Sequence, residues 1–119
     1  MGLNRTVAAV LGVVYLAAGV AGFILDSPLF GLFDVNTLHN IVHLVFGAAL
    51  LYGLMNTALA TNINRTVGAI LVVLGILGFV SADGFGLVPL GGYDIWLHLG
   101  SGIILLAISM MGSSEAAVA

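Results

Sequence analysis

Two short polar runs interrupt an otherwise apolar chain. Asn36, His39, Asn40 and His43 recur at spacings of three and four, so they share one face of a helix. Asp94, His98 and Ser101 follow the same rule in the second half. Residues of these types support three kinds of chemistry. The first is an interhelical hydrogen-bond network, with His39 paired to Asp94 and the Asn40 amide serving a histidine. Such contacts contribute about 0.6–2 kcal/mol each and fix helix register. The second is a b-type haem with His43 and His98 as its two axial imidazoles. Gly47 and Gly102, four residues on from each histidine, would leave room for the porphyrin face, but no arginines or tyrosines cluster to hold its propionates. The third is a proton or metal path lined by His39, His43, Asp94 and His98, in which His39-x3-His43 is a two-histidine face. The network is the leading expectation. It implies no dedicated metal site and no cofactor, with haem b as the alternative.

Other chemistries find no footing. There is no cysteine, hence no thiolate nucleophile and no Cys-ligated metal. No Ser/His/Asp constellation or paired catalytic carboxylate is credible, and Gly84-Phe85-Gly86 lacks the context of a nucleotide loop. The expectation is therefore no catalytic apparatus.

The elements that position the polar runs follow from where charge is absent. The 119 residues are 61% hydrophobic and 6% charged, with a mean hydropathy of +1.26. Soluble domains carry roughly a quarter charged residues, so an ordinary soluble enzyme and a disordered chain are excluded. Two arginines and no lysine cannot neutralise a nucleic-acid backbone. The charged residues are Arg5, Asp26, Asp34, Arg65, Asp83, Asp94 and Glu115. Between them the charge-free windows predict spans at 6–25, 37–55, 66–82 and 94–112, since about 20 apolar residues cross a bilayer core. The third is short enough to need local thinning or longer neighbours.

Both arginines fall on one side and all four aspartates on the other. The positive-inside rule then places both termini and a polar loop at 56–64 in the cytoplasm, and loops 26–36 and 83–93 outside. The first span is longer than a signal-peptide core and is read as a mature helix.

The chain reads as two copies of a helix pair, 4–55 and 64–112, in a single membrane domain covering 1–119. Asn4-Arg5-Thr6-Val7 recurs as Asn64-Arg65-Thr66-Val67, and Gly19, Gly22 and Phe23 recur as Gly75, Gly78 and Phe79. Aligning 31–51 with 86–106 pairs His43 with His98, Gly47 with Gly102 and His39 with Asp94. Two spans per copy make a parallel repeat, whose pseudo-two-fold runs along the membrane normal. The second copy is four residues shorter before its glycines, which accounts for the short third span. Asn4 and Asn64 are read as helix N-caps. In an up-down-up-down bundle, spans 2 and 4 are diagonal, so His43 and His98 converge on one axis.

Helices in lipid gain little from apolar burial and pack through small residues. Gly12, Gly22, Gly47, Gly75 and Gly102 are the expected contact points. The outer loops mix aromatic, leucine, glycine and proline residues, as suits segments at the headgroup level, and Tyr93 and Trp96 suit an interfacial belt.

The run Phe30–Gly47, with Asn-x2-His-Asn-x2-His-x3-Gly at 36–47, and the later Tyr93-Asp94-x3-His98 resemble a family of small four-helix prokaryotic membrane proteins. That family is catalogued only as a domain of unknown function. The resemblance covers about 4–112. It implies a four-span fold and an inner or plasma membrane location, and brings no activity with it. The expectation is an all-α, four-helix, multi-pass protein acting as a structural or accessory membrane component. Its partners would be the lipid bilayer, further copies of itself or another membrane protein, with no nucleic acid.

Overall fold

Asparagine side chains start two of the four helices. The computed structural model describes residues 2–111. Helix α1 is Leu3–Ile24, α2 is Thr37–Tyr52 with a 3₁₀ turn at Gly53–Met55, α3 is Thr57–Val80 and α4 is Tyr93–Ser109. Asn36 Oδ1 accepts from the His39 backbone N–H at 2.8 Å, and Asn56 Oδ1 accepts from that of Leu59 at 2.8 Å. Each bond satisfies a donor that the first helical turn cannot. α1, α2 with its 3₁₀ turn, and α3 are long and apolar enough to cross a membrane; α4 is apolar but has 17 residues. No strand forms among the described residues, apart from one isolated bridge between Leu29 and Phe33.

Three expectations are corrected. Residues 57–64 are not a loop but the first turns of α3, which at 24 residues is the longest helix rather than the shortest. The four residues missing before Gly75 are therefore more than made up by helical chain starting at Thr57. Second, Asn4 and Asn64 are not N-caps. Gly2 stands at that position for α1 and Asn56 for α3. Asn64 is fully buried inside α3, and its Nδ2 donates to Asn4 O at 2.9 Å and Asn4 Oδ1 at 3.0 Å. Asn4 in turn donates to Ile108 O at 3.2 Å, so the two asparagines tie α1, α3 and α4 together. Third, α4 ends at Ser109; residue 112 of the expected span, Glu115 and the C-terminus lie outside the described residues.

The helices associate chiefly as two pairs, α1 with α2 and α3 with α4. The pairs use matching contacts. Gly12, Gly19 and Gly22 of α1 face Leu51, Leu44 and Asn40 of α2; Gly68, Gly75 and Gly78 of α3 face Leu105, Leu99 and Ile95 of α4. Within each helix pair, backbones also approach closely at Gly47 and Gly102. A Cβ on Gly47 would lie 2.6 Å from Leu16 N, and one on Gly102 would lie 2.9 Å from Gly68 O and from Val72 N. Between the pairs, Tyr15, Phe46, Leu50, Val67, Leu71 and Leu105 form the buried core.

The two arginines do the same job at one end of the bundle. Arg5 donates to Leu54 O from Nε at 3.1 Å and from Nη2 at 2.7 Å, closing the end of α2. Arg65 Nη2 donates to Ser109 O at 2.8 Å, closing α4. A guanidinium at a helix C-terminus both satisfies a bare carbonyl and meets the negative end of the helix dipole. At the other end the loops fold inward. Leu29 and Leu90 are buried, Phe33 packs edge-on to Tyr93 with ring centroids 6.4 Å apart, and Asn36 Nδ2 donates to Leu87 O at 2.9 Å. Those contacts join the two loops over the helix ends.

Candidate functional site

Burial sorts the polar face of α2. Asn36 is exposed at the helix start, whereas His39, Asn40 and His43 are each no more than 3% exposed. On α4, Asp94 and His98 are 1% exposed and Ser101 is 5% exposed. α2 and α4 pack on α1 and α3 rather than on each other, yet their histidines meet across the bundle. The His39 and His43 ring centroids are 4.2 Å apart, His39 and His98 are 6.0 Å apart, and His43 and His98 are 6.1 Å apart. One ring nitrogen from each of the three lies within 4.8 Å of the others.

The surroundings of this triad are apolar. The three histidines share a cavity of about 70 Å³ with Val42, Phe46, Leu74, Val88 and Leu90. Leu74 comes from α3, and Val88 and Leu90 come from the second loop, which closes the cavity from above. Tyr15 of α1 stacks edge-on against His43 at 5.3 Å and against Phe46 at 6.1 Å.

Hydrogen bonding around the triad is sparse. Neither ring nitrogen of His43, nor Nδ1 of His98, has a hydrogen-bond partner, and the same holds for both carboxylate oxygens of Asp94; the Asp34 backbone lies near His39 but outside hydrogen-bond geometry. The expected pairing of His39 with Asp94 does not form. Nor does Asn40 serve a histidine through its oxygen: Oδ1 has no partner, and the side chain lies against Gly22 of α1. Ser101 is the satisfied member. Its hydroxyl donates to Leu97 O at 2.6 Å and accepts from the Tyr15 hydroxyl at 2.6 Å.

Tyr15 is the residue that sequence reasoning missed. Its signal was present: Asn4, Ala8, Gly12, Tyr15 and Gly19 recur at helical spacing, and the other tyrosines, Tyr52 and Tyr93, sit at helix ends. A large side chain on a stripe of small ones marks where α1 reaches into the core.

The chemistry open to this arrangement is set by its donor atoms. Three neutral imidazoles suit zinc, copper, nickel or iron. Metal–nitrogen bonds of about 2.0–2.1 Å hold ligand nitrogens no more than about 4 Å apart. The triad is slightly wider than that, and small rotations of rings that no hydrogen bond holds would close it. A haem gains no support from the cavity, since a porphyrin is several times larger and His39 crowds the space beside His43.

Residues 5–111 match the model of a family described as a domain of unknown function, DUF4383. The chain belongs to the DUF4383 family. No curated protein and no solved structure matches it. Within this DUF4383 chain the match takes in all four helices and both polar runs, so the histidine triad lies wholly inside the family region.

Proposed function

We propose that the chain is a four-span integral membrane protein that holds one divalent transition-metal ion between His39, His43 and His98. The observation that carries this reading is the convergence of three buried histidines, with both ring nitrogens of His43 unpartnered. A hydrogen-bond network kept for stability would leave few such atoms, because each buried polar group without a partner costs about 1–3 kcal/mol. A metal ion satisfies several of them at once. Asp94, one turn before His98 on α4, offers a carboxylate to offset the ion's charge in apolar surroundings.

Membrane insertion is supported by composition and by the three long apolar helices. α4 is short for a span, and neighbours on either side would shield its ends. Arg5 and Arg65 sit at one end of the bundle, which the positive-inside rule assigns to the cytoplasm. The matched glycine contacts of the two helix pairs support descent from a duplicated helix pair. Within the membrane the protein acts as an accessory component, a metal carrier or sensor rather than a catalyst.

The test is metal content. Protein purified in detergent without a histidine tag, loaded with Zn(II) and passed through a desalting column, should retain about one ion per chain. His43→Ala and His98→Ala should each abolish retention. Equal retention by wild type and both variants would remove the reading.

A further inference from the structure

A second cavity opens sideways from the bundle. It occupies about 410 Å³ between α1 and α4, beneath the first loop. Its walls are Val14, Ala17, Ala18 and Ala21 of α1 and Leu97 of α4, with Leu29, Phe30 and Phe33 of the first loop. His43 and Asp94 also line it, and they are the polar groups it reaches. Both are more than nine-tenths buried in the protein, and neither Asp94 oxygen has a hydrogen-bond partner.

The slot exists because α1 carries small residues there. In the matching of α1 to α3 by their glycine contacts, Ala17, Ala18 and Ala21 correspond to Val73, Leu74 and Leu77. On that side Leu74 fills the space and lines the histidine cavity instead. The neighbouring outer face of α1, with Val10, Val13, Val20 and Ile24, is exposed and apolar, as suits contact with acyl chains. A molecule dissolved in the bilayer could therefore reach Asp94 without crossing water.

Chemistry narrows the occupant. Carboxyl oxygens without partners accept hydrogen bonds, which favours a head that donates. Phe30 and Phe33 line the slot and suit an aromatic group. A volume in the usual range for small-molecule sites admits a single ring with part of its tail. We propose that this groove binds a lipid-phase amphiphile with a phenol or quinol head, whose hydroxyl donates to Asp94 beside His43. The site shares His43 and Asp94 with the surroundings of the metal triad and rests on a separate observation, the lateral cavity.

The test uses 4-nonylphenol as the probe and its methyl ether, 4-nonylanisole, as the control for partition into lipid. Wild-type protein in phosphatidylcholine nanodiscs is titrated with each, and thermal unfolding is followed. The phenol should raise the midpoint saturably, and the ether should bind at least roughly tenfold more weakly for want of the donor. Ala21→Leu, which narrows the slot without touching Asp94, should weaken the phenol by a similar factor. Equal effects of phenol and ether, no saturable shift with the phenol, or undiminished binding to Ala21→Leu would each overturn the proposal. The phenol–ether comparison needs no variant, so it stands even if a substitution impairs folding.

Discussion

The hydroxyls of Tyr15 and Ser101 lie 2.6 Å apart, joining α1 to α4 through the middle of the bundle. Because Ser101 also donates to Leu97 O at 2.6 Å, the tyrosine is the donor in this bond. The same phenol ring stands edge-on to His43 at 5.3 Å. Tyr15 thus links α1, which carries no histidine, to the site the histidines form.

Tyr15→Phe should lose that bond and cost about 0.5–1.5 kcal/mol, leaving the ring packing in place. Tyr15→Ala should cost about 3–5 kcal/mol, because the residue is wholly buried and its removal opens a void beside His43 and Phe46. Reversible unfolding in mixed micelles measures both. Equal losses for the two variants would mean that the ring contributes nothing beyond its hydroxyl.

Glycine substitutions should follow what stands opposite each one. Gly47 and Gly102 face backbone atoms, which cannot move aside, so Gly47→Ala and Gly102→Ala should each cost about 1–3 kcal/mol. Gly75 faces the end of the Leu99 side chain, which can rotate, so Gly75→Ala should cost less. Gly47→Leu and Gly102→Leu should damage assembly more than Leu51→Ala or Leu106→Ala, since both leucines are only half-buried. Melting temperatures of the seven variants rank them. If the leucine truncations lose more, these glycines are not what sets the helix spacing.

Much of this architecture is legible in the residues, and the remainder is hidden for physical reasons. The charge-free windows locate four apolar helices, and the 36–47 pattern identifies the family. Polarity misleads at 57–64, where Asn62 and Asn64, just before Arg65, look like a loop. They are helical because Asn56 caps the chain, Asn64 finds Asn4, and Arg65 finds Ser109. Spacing alone puts His39 and His43 on one face. It cannot say whether their nitrogens find partners, which depends on how α4 and the second loop pack. Tyr15 is hidden among alanines and glycines for the same reason: its contacts come from other helices.

Orientation in the membrane has a direct check. Ser27→Cys, in the first loop, and Met55→Cys, at the arginine end, are both exposed positions. An impermeant thiol reagent on intact cells should label Ser27→Cys and leave Met55→Cys unmodified until the membrane is breached. Labelling of Met55→Cys alone would invert the arrangement.

Asn64→Leu should also destabilise, by about 1–3 kcal/mol, because it removes the donor to two acceptors on Asn4 in a buried place. Metal retention by this variant should stay at the wild-type level, since the asparagine pair sits at the arginine end, away from the triad. Loss of metal with little change in stability would contradict that separation.

The most direct measurement is the X-ray absorption spectrum of the protein loaded with one Zn(II) per chain. Multiple scattering from imidazole rings counts histidine ligands independently of any variant. The account predicts three imidazole nitrogens at about 2.0–2.1 Å. A first shell of oxygens with one imidazole or none would show that the triad is not a metal site.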